Sequence, residues 1–334
     1  MNPPYNWMYR IVADPRAGQQ CQKSTAMTKN EKIDLEQLTT EAVNPRSAEL
    51  DRMNSLEIVR LINAEDAGVA GAVARVADDI AAAVDAVTER LSRGGRLVYV
   101  GAGTSGRLGV LDAAECPPTF NADPNQVIGL IAGGQEALFH AVEGAEDSRE
   151  QGAQDLAEID LDSSDAVVGI AASGRTPYVL GALEYARNLG AATIGFSCNP
   201  QAEICRHAEL CILPVVGPEV LAGSTRMKAG TATKMVLNML TTGTMVRLGK
   251  TYGNLMVDVQ ATNEKLVERS IGIVRRITGC AREQAIEVLE RCGGNVKTAI
   301  VAQKLGIDGD RAKTLLDRTG GHLRETLQME VRER

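Results

Sequence analysis

The segment GAGTSGR, Gly101–Arg107, follows a short apolar run and opens a helical stretch. Glycines there let backbone N–H groups approach an anion, and a helix N-terminus adds the positive end of its dipole. Gly103, Thr104 and Ser105 supply that backbone and two hydroxyl donors. No GK[ST] follows, so the loop is not a P-loop. The third glycine of a dinucleotide fingerprint is missing, as is an acidic strand end about twenty residues on. A second loop of the same kind, AASGRTP, brings Ser173, Gly174, Arg175 and Thr176. One such loop reads equally well as a tight strand-to-helix turn. Two of them at strand ends of one parallel sheet would flank a switch-point crevice. That pair suits a sugar phosphate, with the phosphate in one loop and sugar hydroxyls on the other.

A third segment, GPEVLAGSTRMKAGTATK, runs from Gly217 to Lys234. Ser224 and Thr225 are N-cap candidates for the long helix that follows. Arg226 and Lys228 fall in its first turn, where the dipole disfavours cations. Two readings stay open: with Glu219 and Ser224 they line the anion site, or they bridge to acidic surface residues.

The elements that must position these loops alternate. Apolar runs at Arg96–Gly103, Gln126–Gly134, Asp165–Gly174, Ala192–Cys198 and Cys211–Val216 are separated by helical stretches such as Thr176–Leu189. Near-continuous apolar strands alternating with helices predict a doubly wound α/β domain with a parallel sheet of about five strands. Two helices are expected across Ser55–Leu91, broken near Gly68–Gly71. Met227–Leu248 is long and apolar around most of its circumference, more than one small α/β layer would cover, which predicts a homodimer interface beside the site. Thr262–Thr278 reads as a charged helix. Short helices are expected at Arg282–Arg291, Val296–Leu305, Asp310–Asp317 and His322–Val331, spaced like a three-helix ubiquitin-associated-type (UBA-like) module. The expected division is residues 1–37 as a weakly ordered extension, 38–278 as the sheet domain with flanking helices, and 279–334 as the helical module. Met27 is a plausible alternative start.

Composition narrows the function classes. The chain has 334 residues, a size for about two domains. Lys+Arg number 36 and Asp+Glu 43, a net charge of -7, which argues against nucleic acid as partner. Aromatics are 3%, too few for base-stacking platforms. No apolar run of ~18 residues predicts a membrane span, and the N-terminus lacks the apolar core of a secretory signal. With 3 histidines, ligands for a His-based metal site are few. The 7 cysteines form no CxxC pair and read as reduced cytosolic thiols. Cys205, His207 and Cys211 do not have a familiar zinc spacing.

The combination of GAGTSGRLG, DAAECPPT, GLIAGG, AVEGAEDS, GIAASGRTPYV, GSTRMKAGTATK and GNLMVDVQATNEKL resembles the N-acetylmuramic acid 6-phosphate etherases of the sugar isomerase (SIS) superfamily. The similarity runs from about Leu38 to about Leu327. Glucokinase regulatory proteins share the GSTRMKAG-type signature, but they carry two SIS domains and this chain has room for one. The resemblance implies a cytoplasmic lyase of cell-wall sugar recycling. It would convert N-acetylmuramic acid 6-phosphate and water to N-acetylglucosamine 6-phosphate and D-lactate, with no metal or organic cofactor. The family's acid matches Glu115, in AECPPT, and its base matches Glu146, in GAED. Without the resemblance, Glu115 reads as a glutamate near a helix end and Glu146 as one of several solvated acids. Elimination needs one charged and one neutral carboxyl, so the environments of the two must differ. Two other readings compete. A non-catalytic sugar-phosphate sensor needs Ser105, Ser173 and Thr176 but not both glutamates. An aldose–ketose isomerase needs a base between C1 and C2 but no acid at C3.

Overall fold

The structure, a computed structural model, describes residues 39–259 and 264–333, with the backbone alone for the last four of these. The N-terminal extension, Met27 and Cys21 lie outside the described residues. The first helix, α1 (Ser55–Asp66), starts at a capping box in which Asn54 accepts from the Glu57 amide and Glu57 accepts from the Asn54 amide. Two further helices follow, α2 (Val69–Ala74) and α3 (Ala77–Ser92). One break was expected in this region; a second falls at Arg75–Val76, where no glycine or proline announces it. On α3, Ile80, Ala83, Val87 and Leu91 are buried at helical spacing, and they form the apolar stripe that docks on the sheet.

The sheet and its helices come next: β1 (Leu97–Gly101), α4 (Gly103–Phe120), β2 (Val127–Ile131), α5 (Arg149–Glu158), β3 (Ala166–Ile170), α6 (Pro177–Asn188), β4 (Ala192–Phe196), β5 (Leu210–Ile212) and α7 (Lys228–Arg247). Every pairing is parallel and the order is β2-β1-β3-β4-β5. All five residues of β1, β3 and β4 are buried, as a sheet covered on both faces requires. Leu97, Tyr99, Val168, Ile170 and Ile194 face a core shared with α2, α3, α4 and α7. Val98, Val100 and Val167 face the opposite core, shared with α5 and α6. The order reverses between β1 and β3, so the expected switch point exists and both glycine-hydroxyl loops flank it.

Neighbouring helices cover α7 more fully than its sequence suggests. Ala232, Val236, Leu237, Leu240 and Met245 are buried, whereas Met239 (42%) and Val246 (46%) stay exposed, as does Leu111 on α4 (51%). After the hairpin β6 (Thr251–Tyr252) and β7 (Leu255–Met256) come α8 (Glu264–Thr278), α9 (Arg282–Arg291), α10 (Val296–Leu305), α11 (Gly309–Arg318) and α12 (Leu323–Glu333). Helix α8, grouped by sequence with the sheet domain, contributes Ile271, Ile273 and Val274 to the same core as α9–α12, together with Val257 and Val259. Buried Lys297 pairs with Asp258 at 2.8 Å and ties α10 to the chain after the hairpin.

Glycine sets how closely α5 and α6 approach. A Cβ at Gly152 would overlap the Tyr178 carbonyl, whereas one at Gly272 on α8 meets nothing. Gly152→Ala should therefore cost about 1–3 kcal/mol in urea denaturation by overpacking. Gly272→Ala should be neutral or stabilise by up to about 1 kcal/mol. Equal effects of the two changes would contradict this packing.

Candidate active site

Gly103, at φ +52, turns the chain from β1 directly into α4, and the N-cap residue Ala102 offers no side-chain acceptor to the first amides. Helix α6 begins in the same way: Thr176 is its N-cap without a side-chain bond, and Pro177 holds the first turn. The α6 loop is fixed from beneath. Gly174, at φ +73, leaves no room for a Cβ against Ala202, and its carbonyl accepts from the Ile204 amide at 2.9 Å. The Ala172 carbonyl accepts from the Cys198 amide and the Ser197 hydroxyl. Ser173 Oγ accepts from the Arg175 amide at 3.3 Å. Two rigid loops with uncapped helix starts thus meet at the switch point, which brings together Gly103, Thr104, Ser105, Ser173, Gly174, Arg175 and Thr176.

The third segment behaves differently. The N-cap of α7 is Met227, not Ser224 or Thr225, and it makes no side-chain cap. The Glu219 carboxylate fills that place: it accepts from the Lys228 amide at 3.0 Å and the Ala229 amide at 2.9 Å, and it is buried. An anion is therefore already built into the start of α7. Lys228 is buried too, and its ammonium lies 2.6 Å from Glu65. Of the two readings left open for Lys228, the acidic bridge is the one observed, with an internal partner rather than a surface one. Neither Glu219 nor Lys228 offers a free group to a ligand. Arg226 is exposed and Ser224 half-buried. Helix α7 still borders the switch point, because a Cβ at Gly230 would lie 3.7 Å from Thr104.

The two glutamates open into different cavities. Glu146 sits in a short turn, Ala145–Asp147, just before α5. It shares a cavity of about 300 Å³ with Gly103, Arg107 and His140. Arg107 donates to the carbonyls of Leu138 (3.0 Å) and His140 (3.3 Å), so α4 holds the loop that leads to Glu146. Glu115 lies toward the other end of α4, in a cavity of about 380 Å³ between α4 and α7. Pro117 and Pro118 lack amide donors, which frees the carbonyls four residues earlier, and α4 ends after Phe120 at Asn121 in the left-handed region (φ 50). Twelve helical residues separate Gly103 from Glu115, about 18 Å at 1.5 Å per residue. Along α4 the acid candidate therefore stands well away from the loop at Gly103.

Beside Glu115, Asp112 is buried and accepts from Tyr99 (2.9 Å), Asn238 (2.5 Å) and Thr241 (3.3 Å). Burial pushes its carboxyl up, against the hydrogen bonds from Asn238, Tyr99 and Thr241 and the charge of Lys234. Sequence reasoning missed Asp112 and Arg107. The signal for Asp112 was its place three residues before Glu115, on the same helical face. Cys205 and Cys211 correct the expectation of reduced thiols: they form a disulfide, because the turn between β4 and β5 brings their Cα atoms to 5.6 Å. Cys116, Cys198, Cys280 and Cys292 are free. His207, between the two joined cysteines, faces Glu184 at 3.0 Å.

Family models agree with this architecture. The N-terminal SIS domain of glucokinase regulatory protein matches residues 79–187, the SIS domain matches 148–243, and the C-terminal lid domain of glucokinase regulatory protein matches 253–316. A phosphoheptose isomerase from Francisella tularensis aligns over 58% of this chain and 100% of its own, at 18% identity and a TM-score of 0.45. The matching family models make the chain a SIS-domain protein with a helical C-terminal region. An N-acetylmuramic acid 6-phosphate etherase from Escherichia coli O1:K1 / APEC is 58% identical over 298 residues, 89% of this chain and 100% of the relative. The etherase of Rhodopirellula baltica is 58% identical over 293 residues, 88% of this chain and 97% of its own. The chain belongs to the N-acetylmuramic acid 6-phosphate etherase family.

The Lys228–Glu65 pair gives a pH signature. The Lys228 hydrogen bond is the largest influence on Glu65 and holds its carboxyl below the usual 4.5, against the cost of burial. A depressed folded-state value stabilises the fold above the unfolded value, and that stability is lost as pH falls through the folded value. The melting temperature of Glu65→Gln should lie below that of the wild type at neutral pH and converge with it below about pH 4. A constant offset down to acid pH would contradict the assignment.

Proposed function

We propose that this chain is a working N-acetylmuramic acid 6-phosphate etherase, with Glu146 as the general base and Glu115 as the general acid. The observation that carries this reading is that Glu146 shares its cavity with Gly103 at the start of the first anion loop. The phosphate rests on the open starts of α4 and α6, through Gly103, Thr104, Ser105, Ser173, Gly174, Arg175 and Thr176. Opening of the sugar ring exposes the C1 aldehyde and makes the C2 proton acidic. Glu146 removes that proton. Glu115 gives its proton to the departing ether oxygen at C3, releasing D-lactate. Ionised, Glu115 then takes a proton from the water that adds to C3, and Glu146 returns its proton to C2. The product is N-acetylglucosamine 6-phosphate, and the two glutamates account for the protons moved in the elimination and the water addition.

The distance along α4 between Glu115 and Gly103, whose cavity Glu146 shares, supports a homodimer in which each site takes its loops and Glu146 from one copy and Glu115 from the other. Exposed Leu111 lines the Glu115 cavity, and with Met239 on α7 it supplies apolar surface for such a contact. Among the described residues no helix is long and apolar enough to cross a membrane. The similarity to the etherases supports a cytoplasmic role in cell-wall sugar recycling.

Two variants test the roles. Glu146→Gln should abolish exchange of the C2 proton with deuterated water. Glu115→Gln should block lactate release yet retain some C2 exchange, because deprotonation does not require a protonated leaving group. Each loss should be about 10²–10⁴-fold. The opposite asymmetry would reverse the two roles. Near-normal lactate release by both variants would leave the sensor reading standing.

A second test addresses the anion loops. Ser173→Ala and Thr176→Val should raise KM far more than they lower kcat, since phosphate is held equally in ground and transition states. Equal large losses in kcat at unchanged KM would contradict the placement of the phosphate.

A further inference from the structure

The cavity that holds Glu115 also holds a cation the mechanism does not use. Lys234, in the second turn of α7, lines it together with Glu115, Asp112, Leu108 and Leu111. Lys234 has no hydrogen-bond or ion-pair partner among the described residues, and it is the one cationic side chain among them that lines this cavity. Buried Asp112 is already served by Tyr99, Asn238 and Thr241. Lys234 thus lines the same cavity as Glu115, together with the apolar Leu108 and Leu111.

The geometry of the leaving group requires something of this kind. The ether oxygen that Glu115 must protonate is bonded to a carbon that carries a methyl and a carboxylate. Where Glu115 reaches that oxygen from its cavity, the carboxylate lies only two bonds further on, within reach of the same walls. A carboxylate moved from water beside Asp112 meets that buried acid and loses hydration. A lysine on that wall offsets both, and the leucines suit the methyl.

We propose that Lys234 binds the lactyl carboxylate and is the residue that selects sugar phosphates carrying an acidic ether substituent. This rests on the assignment of Glu115 as the acid. It separates substrate from product: N-acetylglucosamine 6-phosphate has no lactyl group and makes no contact with Lys234.

The test compares N-acetylmuramic acid 6-phosphate with its lactyl amide, a neutral substituent of the same shape, in wild type, Lys234→Met and Lys234→Arg. Wild type should favour the carboxylate in kcat/KM by about 10- to 100-fold, the worth of a hydrogen bond to a charged group. Lys234→Met should lose that preference, mainly through KM, and Lys234→Arg should restore part of it. Inhibition by N-acetylglucosamine 6-phosphate should be the same for all three, which also reports an intact fold. Retention of wild-type selectivity by Lys234→Met overturns the proposal, as does a matching loss of product affinity. Failure of wild type to release lactate from the acid substrate would instead overturn the etherase reading itself.

Discussion

Helix α4 has amides without a side-chain cap at one end and a glutamate near the other, and its rise keeps Gly103 and Glu115 about 18 Å apart. The sheet fixes the first end: β1 runs into Gly103 at the switch point, where the order of strands reverses. Packing fixes the second: Ala113, Cys116 and Phe120 are buried under the sheet. The same helix also clamps the base-bearing loop through Arg107. The proposed acid, base and phosphate loops are therefore all referenced to one element, and the site we propose draws on two copies of it.

The charges around the site are sorted by burial. At α7 an internal carboxylate, Glu219, occupies the amide end, and Lys228 is spent on Glu65. At α4 and α6 no side chain takes the equivalent place. Three helix starts border the switch point, and the two left open are those that carry hydroxyl-rich loops. Arg107 and Lys234 differ from Lys228 in lining open cavities rather than closing internal ion pairs.

Much of this was legible in the sequence. The five strands announced themselves because a sheet buried on both faces needs unbroken apolar runs, and the glycine-hydroxyl loops because few residue types build an anion cradle. The second break before α3 was not legible, since Arg75 closes α2 and Val76 opens α3 without a capping side chain. The role of Glu219 was hidden because its partners are backbone amides nine and ten residues on. The Cys205–Cys211 link depends on how tightly the chain turns between β4 and β5, which spacing does not reveal. Nor does spacing show that Glu115 and Glu146, both in recognisable motifs, open into separate cavities.

The central claim is that one site needs two chains, and mixed dimers test it most directly. Glu115→Gln and Glu146→Gln subunits, each inactive alone, are unfolded together, refolded as an equal mixture and assayed for lactate release. In a two-fold dimer with shared sites, half of the random dimers are mixed and each contains one intact site. About a quarter of wild-type activity should therefore return. If both glutamates served the same site from one chain, every site in the mixture would lack one of them. Lactate release no higher than that of the separate variants would then contradict the account.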